Sequence, residues 1–297
     1  MLGCACHEHV ATFRVCLSIV ALLLVAAAGP PAHGVEPAAA PPDACQRAKF
    51  RVVVDVGHTL DHPGADSARG ITEYAFNLQL AQDVKQALAD AGFDNTVLLI
   101  TAAAPWRGLV ERAAYANAGH ADLFISIHHD SVPDRLLQTW DYEGARHVFN
   151  DDYPGYALFI SNDNADRAGS LLFGHFLGKQ LQARGLHYTP HYTLELMGHR
   201  RRQLLDAEAG VYRYDELIVL RMTHMPALLL EAGSIVNRQE ELELGSPERR
   251  SLTSAAVAAA VEDFCAARAR PAAAPLPRSP PAPKAAAQPG RAGAHAH

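Results

Sequence analysis

Five short apolar runs along the chain are separated by longer segments in which apolar residues recur at helical spacing. Within each run the apolar residues occupy consecutive positions, which is typical of strands that are covered on both faces of a parallel sheet. We therefore predict strands at 50–56, 97–100, 122–127, 157–161 and 227–231.

Helical periodicity is clearest after Thr72, where apolar side chains recur every three or four residues as far as Ala91. Thr72 is suited to cap the start of this helix, and Gly92 is suited to follow its end. Because strands alternate with helices, we predict an α/β fold in which a mostly parallel twisted sheet has helices on both faces, within a single domain. Three further helices are predicted at about 105–118, 166–184 and 247–267.

Two stretches, 130–155 and 185–216, do not fit the alternation of strands and helices. Both are rich in His, Tyr, Arg, Asp and Gly rather than in apolar residues. Long irregular segments in an α/β fold commonly surround a functional site. We therefore predict that these stretches form loops around such a site.

The N-terminal part of the chain has the pattern of an export signal. Residues 15–28 form an apolar run that Arg14 precedes and small residues follow, and the run is too short for a typical transmembrane helix. We predict a signal peptide over 1–34 and hence an exported protein of the periplasm or cell envelope. The alternative is an uncleaved membrane anchor, which would be the chain's only contact with a membrane.

The composition of the flanking segments sets the bounds of the folded domain. Residues 35–45 are rich in Pro and Ala and are predicted to be a spacer. Residues 269–297 are also rich in Pro and Ala, so that we expect a disordered tail that buries no core. The predicted catalytic domain is therefore 46–268, which is within the usual size of a single domain.

Cysteine positions predict one disulfide. Three of the five cysteines, Cys4, Cys6 and Cys16, fall in the predicted signal peptide. Its cleavage leaves Cys45 and Cys265, which bracket the domain. In an oxidising compartment these two can pair in only one way within the chain, although two free thiols are the alternative.

The formal net charge of −6 excludes the basic footprint of a nucleic-acid-binding protein. A local basic cluster, Arg200-Arg201-Arg202, stands out against this background. We predict that this cluster is a solvated surface. The alternative is a site that binds carboxylates.

Four polar residues are predicted to meet at one edge of the sheet. His58 follows the first strand, His128 follows the third, and Glu231 ends the last. Glu73 opens the helix that the first strand leads into. The carboxyl ends of parallel strands share an edge, and ligands bind there.

Two imidazoles and a carboxylate with an open fourth position form the ligand set of a catalytic zinc ion. A further carboxylate nearby can take the proton of a zinc-activated water, and Glu231 is the candidate because it ends an otherwise apolar strand. Each residue has a simpler explanation by itself. A strand-end histidine can be structural, Glu73 can favour the helix dipole, and Glu231 can belong to a buried ion pair.

Four segments keep a common order along residues 50–263: VVVDVGH, GITEYAFNLQLAQDVKQALADAGF, ERAAYANAGHADLFISIHHDS and MPALLLEAGSIVNRQEE. In order and spacing they resemble the zinc-dependent N-acetylmuramoyl-L-alanine amidases of the type 3 family. The resemblance implies that His58, Glu73 and His128 bind one Zn²⁺ per chain and that Glu231 is the catalytic carboxylate. It also implies hydrolysis of the amide between N-acetylmuramic acid and L-alanine in peptidoglycan, in cell-wall remodelling, daughter-cell separation or recycling.

The chain departs from the family pattern around the predicted ligands. Gly-His-Gly-Gly is replaced by Gly-His-Thr-Leu, and a longer loop with Asp61 and His62 follows. We expect Asp66, His129 and Asp130 to support the ligands or to contact substrate rather than to bind the metal.

Peptidoglycan is the partner that the resemblance implies, and a protein activator is a second candidate. In some members an inserted helix blocks the zinc with a carboxylate, for which Glu143 and Glu195 are the candidates here. Two alternatives to the amidase remain open. One is a zinc peptidase or carboxypeptidase acting on the stem peptide, and the other is a wall-binding module without catalysis.

Overall fold

The computed structural model describes residues 45–103 and 105–269. These residues form one α/β domain. Its strands are β1 (Val52–Val56), β2 (Thr96–Leu99), β3 (Leu123–Asp130), β4 (Gln138–Tyr142), β5 (Ala145–Phe149), β6 (Ala157–Ile160), β7 (Leu204–Asp206), β8 (Val211–Arg213) and β9 (Ala227–Ser234). Its helices are α1 (Glu73–Asp90), α2 (Pro105–Ala118), α3 (Arg167–Gln182), α4 (Ile218–Arg221), α5 (Glu240–Leu244) and α6 (Pro247–Ala269).

Seven strands form the main sheet, in the order β2-β1-β3-β9-β6-β8-β7. β2, β1, β3 and β9 pair in parallel, whereas β6 is antiparallel to β9 and β7 is antiparallel to β8. The predicted mostly parallel sheet is therefore confirmed. β4 and β5 pair with each other in a separate two-stranded hairpin.

Helices cover both faces of the sheet, as predicted. On one face, apolar side chains of α1, α3 and α6, among them Leu80, Phe173 and Phe264, are fully buried against β1, β3 and β9. On the other face, a second core includes Phe124 of β3 and Val219 of α4. Burying a side chain of this size stabilises the fold by about 1.5–3 kcal/mol relative to leaving it in water.

The central strands run further than the apolar pattern predicts. β3 continues through His128 to Asp130, and β9 continues through Glu231 to Ser234. Sheet pairing depends on the backbone, so polar side chains do not end it where the backbone partners are available. His128 and Glu231 therefore lie within strands, where the sequence predicts strand ends.

The two stretches predicted to be loops contain regular structure. The first, 130–155, holds the β4–β5 hairpin, whose turn is formed by Glu143 and Gly144 with φ values of +50° and +80°. The second, 185–216, holds the short strands β7 and β8 at the edge of the sheet. The prediction of loops is wrong for these segments.

Loop carbonyls, rather than a side chain, cap the start of α1. Thr72 precedes the helix but its side chain makes no capping hydrogen bond. Instead the amides of Glu73 and Tyr74 donate to the carbonyls of Ala65 and Pro63, at 2.8 and 2.9 Å. The loop between β1 and α1 is thereby fastened to the helix end that carries Glu73.

A disulfide joins Cys45, before β1, to Cys265 in α6, with a Cα–Cα distance of 5.3 Å. None of the helices in the described part of the chain combines the length and apolarity that a membrane crossing requires. The signal peptide with Cys4, Cys6 and Cys16, nearly all of the spacer, and the tail after Ala269 lie outside the described residues.

We expect the disulfide to contribute substantially to stability because it closes a loop of 220 residues. Replacing both Cys45 and Cys265 by Ser should lower the free energy of unfolding by about 2–5 kcal/mol. Urea denaturation with and without reductant measures this. The double variant should be insensitive to reductant, and equal stability of the oxidised wild type and the variant would contradict the prediction.

Candidate metal centre and active site

The structure brings His58, Glu73 and His128 into one cluster. Oε2 of Glu73 lies 2.9 Å from Nε2 of His58, and its Oε1 lies 2.9 Å from Nδ1 of His128. One ligand atom from each residue falls within 4.8 Å of the others. Burial alone raises the pKa of Glu73, but hydrogen bonds from the two imidazoles outweigh it and hold that pKa below its usual range.

His58 reaches the cluster from a strained backbone position. Its φ is +68°, in the left-handed region that side chains other than Gly seldom adopt. Arg112 of α2 holds this turn in place, because its guanidinium donates to the carbonyls of both Val56 and His58. Nη1 of Arg112 also donates to Oδ1 of Asp55 at 2.6 Å, and this ion pair is almost completely buried.

Glu231 lies beside the cluster because of strand register. β3 and β9 pair in parallel with His128 opposite Glu231, so that both side chains leave the same face of the sheet. Oε2 of Glu231 is buried and has no hydrogen-bond partner among the described residues. Burial raises the pKa of Glu231 well above its usual range, and the negative charges of Asp130 and Glu73 add to this effect.

His129 supports Glu73 from the other face of β3. Its ring is buried, and Nδ1 lies 2.8 Å from Oδ1 of Asn77. The amide nitrogen of Asn77 donates in turn to the carbonyl of Gly57 and to Oε1 of Glu73. Burial lowers the pKa of His129 to about 3, so the ring is neutral at pH 7.

Asn77 contacts Glu73, His129 and the carbonyl that precedes His58, and it was not among the residues predicted from sequence. It lies four residues after Glu73 on α1, one helical turn further along the same face. That spacing is the signal by which it could have been found.

Asp130 does not touch the cluster but anchors a second group of polar residues. Both of its oxygens accept from the hydroxyl of Tyr192 at 2.7 Å. Nη2 of Arg200 lies 3.5 Å from Oδ1 of Asp130. Burial raises the pKa of Asp130 to about 6, against the opposing charge of Arg200.

The basic cluster is solvated at Arg201, which is largely exposed, whereas Arg200 is half-buried beside Asp130. Arg202 is also half-buried, with its guanidinium 3.7 Å from the centre of the Tyr214 ring. The path of the chain between 185 and 202 brings Tyr192 and Arg200 to the site, and no periodicity in the sequence encodes that path.

The other candidate residues do not belong to the cluster, although His62 lines the cavity beside His58 and His128. Asp66 is exposed, and its backbone forms a bridge with Thr72. Asp61 and His62 are exposed in the loop between β1 and α1. The two candidate blocking carboxylates, Glu143 and Glu195, are also exposed, and neither belongs to the cluster.

Two glycines leave the room that the cluster needs. A Cβ at Gly57 would lie 2.4 Å from Nε2 of His128. A Cβ at Gly64 would lie 2.4 Å from Oε2 of Glu73 and 2.8 Å from Nε2 of His58. Gly64 also has a φ of +83°, so both space and backbone conformation favour Gly there.

A cavity of about 240 Å³ opens next to the two imidazoles, between the sheet and helices α2 and α4. Leu109, Val219 and Leu229 supply apolar walls, while Arg112 and Ser126 supply polar groups. The cavity is large enough to hold a part of a substrate beside the cluster.

The donor set fits a zinc ion. Tetrahedral zinc with bonds of about 2.0–2.2 Å separates its donor atoms by roughly 3.4 Å, and one ligand atom from each of the three residues already lies within 4.8 Å of the others. Two imidazole nitrogens and one carboxylate are a typical catalytic set. Glu73, Asp130 and Glu231 bring three carboxylates to this region, which favours a cation.

Comparison with known proteins gives a consistent result. The sequence profile of the Amidase_3 family, described as N-acetylmuramoyl-L-alanine amidase, matches residues 52–263. The chain is similar to N-acetylmuramoyl-L-alanine amidase AmiC of Neisseria meningitidis serogroup B, with 27% identity over 234 residues, covering 72% of this chain and 52% of that protein. It is 28% identical over 222 residues to the probable amidase AmiB of Haemophilus influenzae, covering 68% and 49%.

The chain thus spans about half the length of these curated relatives. Among solved structures, the amidase Ami1 of Mycobacterium smegmatis has a similar fold, with a TM-score of 0.55 and 18% identity. That similarity covers 74% of this chain and 98% of the Ami1 chain.

We expect Arg112→Met to destabilise the domain by about 3–5 kcal/mol, because it leaves the buried Asp55 without its partner. Urea denaturation measures the loss. The double variant Asp55→Asn/Arg112→Met should recover part of that stability, since it buries no unpaired charge. A single variant as stable as the wild type would show that the ion pair does not hold this turn.

Proposed function

Because the chain belongs to the N-acetylmuramoyl-L-alanine amidase family whose profile matches residues 52–263, we propose that it is a zinc-dependent amidase of peptidoglycan. The reaction is hydrolysis of the amide between the lactyl group of N-acetylmuramic acid and L-alanine. The observation that carries the proposal is the cluster of His58, Glu73 and His128 with the unpartnered carboxylate of Glu231 beside it.

His58, Glu73 and His128 are the proposed ligands of one zinc ion. When bound, Zn²⁺ polarises the amide carbonyl and lowers the pKa of a water molecule. Each of the three residues would supply one ligand atom, and Asn77 together with the backbone amide of His129 fixes the orientation of Glu73 by donating to its Oε1. Such support of a ligand by its neighbours typically changes metal affinity by about 10- to 100-fold.

Glu231 is the proposed general base. Its carboxylate takes a proton from the attacking water and delivers that proton to the leaving nitrogen of L-alanine. A raised pKa suits this role, because a carboxylate of ordinary acidity binds a proton too weakly at neutral pH. The neighbouring position of His128 in the β3–β9 register keeps the base close to the ligands.

A zinc peptidase or carboxypeptidase acting on the stem peptide would use the same ligands and base. The products separate the two activities. An amidase releases a glycan that keeps its lactyl group together with an intact stem that begins with L-alanine. We also propose export to the periplasm or cell envelope through a signal peptide over 1–34, with peptidoglycan as the partner and 46–268 as the catalytic domain.

We predict that Glu231→Gln retains zinc but loses hydrolysis by about 10²- to 10⁴-fold, because it removes the general base. His128→Ala should lose both zinc and hydrolysis, because it removes a ligand. Zinc content of the purified variants and mass spectrometry of digested peptidoglycan, with and without chelator, provide the measurements. Wild-type activity in Glu231→Gln would remove it from the mechanism, and chelator-resistant activity would remove the metal.

Gly57→Ala should weaken zinc binding by tenfold or more, since the new Cβ meets the ring of His128. Gly245→Ala is the matched control, because its Cβ makes only an ordinary contact with a carbonyl at 3.5 Å. Calorimetric titration of the metal-free proteins with zinc gives both affinities. Equal affinities in the two variants would mean that the ring can move aside without loss.

A further inference from the structure

The cavity beside the two imidazoles is lined by apolar side chains and by polar groups that already have partners. Leu109 of α2 and Leu229 of β9 contribute to its apolar walls. Arg112 and Asp55 form a buried ion pair, and Ser126 donates to Oδ2 of Asp55 at 2.7 Å. Because these polar groups are engaged with one another, the cavity favours an apolar group over a charged one.

The cavity and Glu231 lie on opposite sides of the imidazoles. β1, β3 and β9 are neighbours in the sheet in that order, and they place His58, His128 and Glu231 in a row along its carboxyl edge. Arg112 of α2 lines the cavity and binds the end of β1, so the cavity lies toward the β1 end of this row. The described residues that line it include both imidazoles but not Glu231.

This order determines which half of an amide substrate faces the cavity. Glu231, as the proposed base, delivers a proton to the leaving nitrogen, which must therefore lie within hydrogen-bond reach of its carboxylate. The carbonyl carbon separates that nitrogen from the acyl group, so the acyl group points away from Glu231 and toward the cavity. In peptidoglycan the first apolar group on the acyl side is the methyl of the lactyl group, which fills only a small part of the cavity of about 240 Å³.

We propose that this cavity is the subsite for the acyl half of the substrate, and that the enzyme also hydrolyses N-acyl-L-alanyl peptides with a straight apolar acyl chain. The inference rests on the proposed amidase function and extends its range of substrates. A methylene group takes about as much space as a water molecule, about 30 Å³, so the cavity has room for about eight carbon atoms.

The reaction on such a peptide consumes one water molecule. The oxygen of the water bonds to the acyl carbon, the C–N bond breaks, and a proton of the water passes through Glu231 to the leaving nitrogen. The products are the carboxylic acid of the acyl chain and a peptide with a free amino group.

Two residues allow the volume of the cavity to be changed in opposite directions. Ala103 is half-exposed and lines the cavity next to α2, where a Cβ at Gly108 would lie 3.1 Å from the carbonyl oxygen of Ala103. Ala103→Phe should fill part of the cavity, and Leu109→Ala should enlarge it. Ala102 is exposed and does not line the cavity, so Ala102→Phe is the matched control.

The substrates for the test are N-acyl-L-Ala-γ-D-Glu compounds with straight acyl chains of two to twelve carbon atoms. For the wild type, kcat/KM should rise about 2- to 4-fold with each added carbon and level off at about eight carbons. Ala103→Phe should move that limit to shorter chains, Leu109→Ala should move it to longer chains, and Ala102→Phe should leave it unchanged. Melting temperatures identify a variant that fails to fold, in which case the other decides.

A wild-type series that is flat in chain length, or a limit that moves in neither variant, would overturn the inference. N-acetylmuramoyl-L-Ala-γ-D-Glu, measured alongside, tests the proposed function separately, because its hydrolysis does not require an apolar chain. If none of the compounds is hydrolysed, calorimetric binding of the acyl series to Glu231→Gln decides. Affinities that rise with chain length would support the subsite, and equal affinities would refute it.

Discussion

The buried guanidinium of Arg112 is the interaction on which the site depends. It comes from α2 and binds three acceptors at the end of β1, two of them carbonyls that flank the turn into His58. A left-handed residue other than Gly costs about 1–3 kcal/mol and persists only where its surroundings impose it. The buried charge of Arg112 is paired with Asp55, and Ser126 donates to Oδ2 of Asp55 at 2.7 Å. The backbone turn that carries His58 is thus held by a side chain of helix α2.

The distribution of charge in the site depends on the pairing of β3 with β9. Parallel pairing of β3 with β9 places His128 opposite Glu231, and the bulge that follows turns Asp130 toward Tyr192. The result is a concentration of negative charge that is costly in the apolar interior of a protein. The positive charge of Arg200 offsets part of that cost, and the proposed zinc ion would offset more.

Much of this arrangement could be predicted from sequence. The apolar runs predicted the central strands, and the rule that parallel strands share a carboxyl edge brought four distant residues to one place. The supporting residues could not be found in this way. Tyr192 and Arg200 depend on the route of an irregular segment, which has no periodic pattern. The β4–β5 hairpin was missed because its turn, Glu143-Gly144, lacks the Asn-Gly or Asp-Gly pair that usually marks a two-residue turn.

The disulfide also has a mechanical consequence. Cys45 lies near the end of α1 remote from Glu73, since Arg47 donates to the carbonyl of Ala91 just after the helix. α1 has 18 residues and is about 27 Å long, so the disulfide and the cluster that contains Glu73 lie at opposite ends of this helix. Tension applied between residues 45 and 269 would pass through the covalent S–S bond and the last turn of α6. The strands that carry His128 and Glu231 lie outside that load path, so tension between residues 45 and 269 would leave the geometry of this site undisturbed.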